Sequence, residues 1–195
     1  SMFKHAREFL RHIRNRKWES TPDGGILIAP AGVKFGNYYE HDVNGEDLQR
    51  DHNLLTIEGL TYLLNTGFNN GTKLTTWYLP IYGGNYTPTT ALTAASFPAT
   101  ASEITSGSEG YSEASRPAWA LAAPSAASAT NVATKAAFTI VTASSLTIYG
   151  AALCSEATKG AVTGVCASAT RFGTPRVVYN TDVFNLGYVT TLTSA

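Results

Sequence analysis

Beyond residue 130 the chain alternates. Short runs at 137–141, 146–149, 163–169, 176–179 and 184–192 place apolar and polar side chains at every second position, and Gly, Asn or Asp turn signals fall between most of them. Period two is the signature of a half-buried strand. Runs this short, with no helical pattern between them, predict antiparallel sheets rather than a βαβ fold. Upstream, Thr75-Thr76-Trp77-Tyr78-Leu79 and Ile81-Tyr82 are rich in aromatic and β-preferring residues, and Pro80 marks that segment as an edge or a bulge. Ile26 to Ala29 reads as a short buried strand, and 33–39 as a second extended piece.

Two stretches follow the helical period instead. Phe3, Phe9, Leu10, Ile13 and Trp18 recur at about helical spacing, and Arg7, Arg11, Arg14 and Arg16 fill much of the remaining circumference, which predicts a basic amphipathic helix over 2–17. Ile57, Leu60, Leu63 and Leu64 predict a second helix between Asn53 and Gly67. Thr56 or Asn53 suits its N-cap, and Gly67 its left-handed end. Between the two helices, Thr21-Pro22-Asp23-Gly24-Gly25 is strong turn chemistry. The predicted architecture is therefore mainly β: an antiparallel β-sandwich or jelly-roll-like body over residues 24–195, a basic N-terminal arm over 1–20, and one short internal helix.

Charge sharpens this division. The chain has 195 residues, of which 14% are charged, and its formal net charge is zero. Residues 1–17 carry six basic side chains against one acid, residues 18–52 two against seven, and the remaining 143 residues six against six. The acidic stretch reads as an exposed loop. The body that follows is neutral, with more than half of residues 86–170 being Ala, Ser or Thr. Such a surface has little charge to oppose association, so symmetric assembly is expected to cover part of it. Residues 118–133 read as a long ordered loop of the kind that serves contacts. No stretch reaches the roughly 18 apolar residues of a membrane span, and the N-terminus lacks a signal peptide's apolar core, which predicts synthesis and use in a cytoplasm.

Candidate chemistry is sparse. The chain contains no Walker loop, no Gly-x-Ser-x-Gly elbow and no His-Glu-x-x-His, so no common catalytic signature points to an enzyme. Glu40-His41-Asp42 and Asp51-His52 mix imidazole with carboxylates, and Glu46, Asp47 and Asp51 offer carboxylate pairs. These read as solvated loop charges, with no metal or cofactor expected. Cys154 and Cys166 flank a turn at Gly160 and read as two small buried thiols. Arg116 is expected in a structural ion pair with Glu113 or Glu109. Trp77, Tyr78, Tyr82 and Tyr86, interleaved with Gly83, Gly84 and Asn85, offer either rim packing or a stacking platform for a glycan.

The run from Asn53 to Tyr86, with Asn53-Leu54-Leu55-Thr56-Ile57-Glu58-Gly59-Leu60, Thr76-Trp77-Tyr78-Leu79 and Gly84-Asn85-Tyr86-Thr87-Pro88, resembles a family of tailed-bacteriophage and prophage proteins. The resemblance continues through 109–119, through Thr147-Ile148-Tyr149-Gly150-Ala151-Ala152-Leu153 and into 180–188, so that it covers about residues 24–195. It implies a non-enzymatic virion component, a capsid cement or decoration protein with a jelly-roll-like body that self-associates and binds the major capsid protein. The alternative is a receptor- or glycan-binding module of a head or tail fibre that uses Trp77, Tyr78, Tyr82 and Tyr86. The N-terminal helix lies outside the resemblance. It is expected to dock Phe3, Phe9, Leu10 and Ile13 on a partner while Arg7, Arg11, Arg14 and Arg16 meet an acidic surface, such as residues 40–51 of a neighbour; nucleic-acid phosphate is the competing target.

Overall fold

The computed structural model describes residues 19–20, 26–27, 33–121 and 123–194. The chain divides into two compact units, one made of Ser1–Phe35 with Leu192–Ala195 and the other of Gly36–Thr191. In the first, β1 (Glu19–Ser20) pairs antiparallel with β2 (Ile26–Leu27), in the register Glu19 with Leu27. The expected helix over 2–17 lies outside the described residues.

The second unit is mainly β and antiparallel. A four-stranded sheet has the order β5 (Leu54–Leu55), β11 (Cys166–Tyr179), β10 (Ser145–Cys154), β6 (Ile81–Tyr82). A six-stranded sheet has the order β4 (Glu46–His52), β3 (Val33–Val43), β12 (Val183–Ser194), β9 (Ala136–Val141), β7 (Gly110–Tyr111), with β8 (Ser128–Thr130) also on β12. Two helices interrupt the strands, α1 (Ile57–Phe68) and α2 (Phe97–Ala101).

Alternation sets the core. Phe138 and Ile140 on β9 and Phe184, Leu186 and Tyr188 on β12 point to one face of the six-stranded sheet. There they meet Ile81, Ile148, Ala151, Leu153, Phe172 and Val178 of the four-stranded sheet. The opposite face of that smaller sheet is buried as well. Tyr82, Ala152, Cys154, Cys166 and Ala169 pack there against Leu92, Ala94, Phe97 and Ala101. Double burial explains why β10 ends in the unbroken run Gly150-Ala151-Ala152-Leu153-Cys154, since a strand covered on both faces has no polar side to alternate. Gly150 is required at this crossing: a Cβ there would lie 2.1 Å from the Thr170 carbonyl oxygen.

The acidic stretch is not a loop. Asn44 and Gly45, both at positive φ, form a two-residue hairpin turn, and β4 runs back along β3 with Glu40 opposite Arg50 and Tyr38 opposite His52. Helix α1 also does not end at Gly67. It continues to Phe68, Asn69 caps it, and Asn70 takes the left-handed conformation. The 118–133 segment is largely irregular, but β8 and a short 3-10 turn at Val132–Thr134 secure its end.

Candidate functional site

Most ionisable residues of the acidic stretch are held by partners within the fold. Glu40 and Asp42 face away from the shared core, and Lys135 bridges them at 3.0 and 2.8 Å. Arg50 Nε donates to Glu40 at 2.8 Å, and Asp42 also accepts from Asn185 Nδ2 and from the Gly45 N–H. Burial alone would raise both carboxyls, but the hydrogen bonds from Lys135, with those of Arg50 on Glu40 and Asn185 on Asp42, hold them below their ordinary values. His41, fully buried, points the other way and stacks on Phe172, ring centroids 3.8 Å apart. Its Nε2 donates to Asp51 at 2.9 Å, and Arg176 pairs with Asp47 beside it. Glu40, Asp42 and Asp51 are thus committed to partners within the fold, while Glu46 and Asp47 stay exposed on the same stretch. Among the described residues no three His, Cys, Asp or Glu side chains converge as metal ligands.

Arg116 has a different partner from the two expected. It makes a bidentate pair with Glu103, Nε and Nη2 donating at 2.8 and 2.7 Å, and Nη1 donates to the Glu156 carbonyl at 3.0 Å. Both side chains are almost fully buried. Glu109 instead accepts from Thr142 and the Ala143 N–H, and Glu113 from the Thr139 N–H. The arginine fastens the 156–161 loop to the body.

Of the four aromatic residues expected to offer a stacking platform, Tyr82 is withdrawn from the surface while Trp77, Tyr78 and Tyr86 are half-buried. Tyr82 is fully buried, and its hydroxyl donates to the Thr170 and Tyr86 carbonyls. Trp77 is half-buried against the shared core and receives Tyr62 edge-on at 5.3 Å. Tyr86 packs half-buried on the second core, and the Tyr78 backbone bridges to Ala118 and Cys154. The docking residues expected on the N-terminal arm, Phe3, Phe9, Leu10, Ile13, Arg7, Arg11, Arg14 and Arg16, lie outside the described residues.

Among the described residues, α1 gathers the longest run of exposed large apolar side chains. Thr56 caps it, accepting from the Gly59 N–H at 2.9 Å and donating to the Cys166 carbonyl. Glu58 accepts from the N–H groups of Cys166 and Ala94 at 2.7 and 2.8 Å. Gly59 lies directly on β11, where a Cβ would come within 2.4 Å of the Ala167 carbonyl oxygen. One turn further, Tyr62 accepts from the Leu74 N–H at 2.7 Å, and Thr66 is half-buried beside it. Positions 59, 62 and 66 thus form the stripe that faces the body, a glycine, a tyrosine seated against Trp77 and a threonine, with no aliphatic side chain among them.

Ile57, Leu60, Leu64 and Phe68 repeat at the same helical spacing on the opposite side, with Leu63 at its flank. Their exposures are 59% for Ile57, 61% for Leu64 and 88% for Phe68, with Leu60 and Leu63 also exposed. The predicted amphipathic helix is present, but its apolar stripe points outward. Scattered exposed apolar residues are ordinary; a contiguous helical stripe of them marks a contact surface. No helix among the described residues is long and apolar enough to cross a membrane. No protein-family model, curated protein or solved structure matches the chain.

Proposed function

We propose that this chain is a non-enzymatic structural component of a phage particle, a capsid cement or decoration protein that self-associates and binds the major capsid protein. The observation that carries the reading is the outward apolar face of α1, anchored to the body through its polar side. A helix held by Thr56, Glu58 and Gly59 with Ile57, Leu60, Leu64 and Phe68 in water is built to be covered by something else. The ion pairs support the same reading, because Glu40, Asp42, Lys135, Glu103 and Arg116 brace the fold and are not presented to a substrate. The strand pairing favours a jelly-roll-like body. The β10–β11 hairpin in one sheet is enclosed by the β9–β12 pair in the other, the nested connectivity that a jelly roll repeats. Residues 2–17, with their apolar and basic side chains, act as a second attachment to the shell.

Quantitative mass spectrometry of purified particles tests this assignment. The chain is expected at a copy number that is a large multiple of the capsid symmetry. A few copies per particle, or none, would overturn it.

A further inference from the structure

We infer that the apolar face of α1 is covered by the same face of a second copy of this chain, giving a two-fold pair of antiparallel helices. The inference rests on reading α1 as a docking surface and names its partner.

Charge selects the partner. From Gly59 to Thr72 the chain carries no Asp, Glu, Lys, Arg or His, and the one carboxylate on α1, Glu58, is already engaged by two backbone N–H groups. A basic segment such as residues 2–17, with six cationic side chains, would find no acid on this face and would lose hydration against it. A second α1 brings neither charge nor like-charge repulsion. The polar rim fits the same partner. Thr61, Asn65 and Asn69 are exposed beside the stripe, and hydroxyl and amide side chains both donate and accept, so a rim made of them complements itself across a two-fold axis.

Geometry and area agree. The 3-4-4 spacing of Ile57, Leu60, Leu64 and Phe68 gives a straight seam along three turns. Antiparallel pairing places Phe68 against Ile57 of the partner subunit and brings the leucines together at the centre. Five side chains at the observed exposures leave on the order of 500–600 Å² of each copy to be covered, so the pair buries on the order of 1,100 Å², near the lower bound for a specific interface. A reversible pair of moderate affinity is expected rather than a permanent one.

Light scattering after size exclusion on the full chain, over a concentration series reaching about 100 µM, reads this directly. The mass should rise from the 20.7 kDa of one chain toward twice that value. Leu64→Asp and Leu64→Lys, both on an exposed position, should each weaken pairing at least tenfold with unchanged circular dichroism and melting, and an equal mixture of the two should recover the pair. A wild-type mass fixed at one chain, or a pair indifferent to both variants, overturns the inference. Particle binding separates this inference from the reading beneath it. If the wild type is monomeric but Leu64→Asp abolishes incorporation into particles, the face docks on another protein and only the self-pairing is wrong. If incorporation is unaffected as well, the docking reading of α1 falls with it.

Discussion

Arg176 donates from Nε to Nδ1 of His41 at 3.0 Å, joining β11 to β3 across 135 residues of sequence. A guanidinium is always a donor, so Nδ1 carries no proton and the imidazole proton sits on Nε2, where it is donated to Asp51. The buried ring is neutral and its tautomer is fixed.

This arrangement makes stability depend on pH with a definite sign. Burial, followed by the charge of Arg176, outweighs Asp51 and lowers the His41 pKa from its ordinary 6.5. The unfolded chain therefore takes up the proton first, so the stabilisation is complete above about pH 6.5 and declines as pH falls below it, by at most about 1.4 kcal/mol per pH unit. Urea unfolding between pH 7.5 and 5 measures it. His41→Gln, whose amide donates and accepts without titrating, should flatten the slope. An unchanged slope would assign the acid sensitivity to other groups.

The Glu103–Arg116 pair should behave as a buried unit. Arg116→Met or Glu103→Leu alone strands a charge in the core and should cost about 3–5 kcal/mol, whereas the double variant should recover much of the loss. A double-mutant cycle on denaturant midpoints checks this, and strict additivity would contradict it.

Two glycines of the same helix should respond with opposite signs. Gly59→Ala drives a methyl into the Ala167 carbonyl and should destabilise by about 1–3 kcal/mol. Gly67 sits inside α1 with nothing near its missing side chain, and Gly67→Ala should stabilise by about 0.5–1 kcal/mol through helix propensity. Melting temperatures of the two variants separate the cases.

Strands β9 and β12 were legible because each buries alternate side chains against one core, as Phe138 and Ile140 or Phe184, Leu186 and Tyr188 do. The β3–β4 hairpin was not legible from the acids of the stretch, since what makes Glu40 and Asp42 tolerable on β3 is Lys135, more than ninety residues away. The Asn44-Gly45 pair was the local signal that would have found the hairpin. The apolar stripe of α1 was plain in the sequence, but its direction was not. That direction follows from Gly59 fitting on Ala167 and Glu58 bonding Cys166, contacts that no local pattern encodes. Arg116 likewise bypasses the nearer Glu109 and Glu113 because backbone and hydroxyl donors of 139–143 already hold them.

Cys154 and Cys166 face each other in register on β10 and β11. The Cys154 backbone bonds Tyr78, while the Cys166 N–H and carbonyl bond Glu58 and Thr56, so the two form a non-hydrogen-bonded pair with their side chains close. Both are buried, and the neighbouring Cys166 thiol, together with burial, pushes the Cys154 thiol up. Neither should react with a disulfide reagent at pH 8 in the native chain, and both should react once it is unfolded. Rapid labelling of either in the native state would contradict this placement.

If α1 is a docking surface, its outer side is covered when the protein assembles. Hydroxyl-radical footprinting of Leu60, Leu64 and Phe68, in dilute chain and in purified particles, measures that directly. Phe68, the most exposed of the three in the isolated chain, should be modified severalfold less in the assembled state, with Leu60 and Leu64 protected alongside it. Equal modification of all three in both states would contradict the claim that this helix is a docking surface.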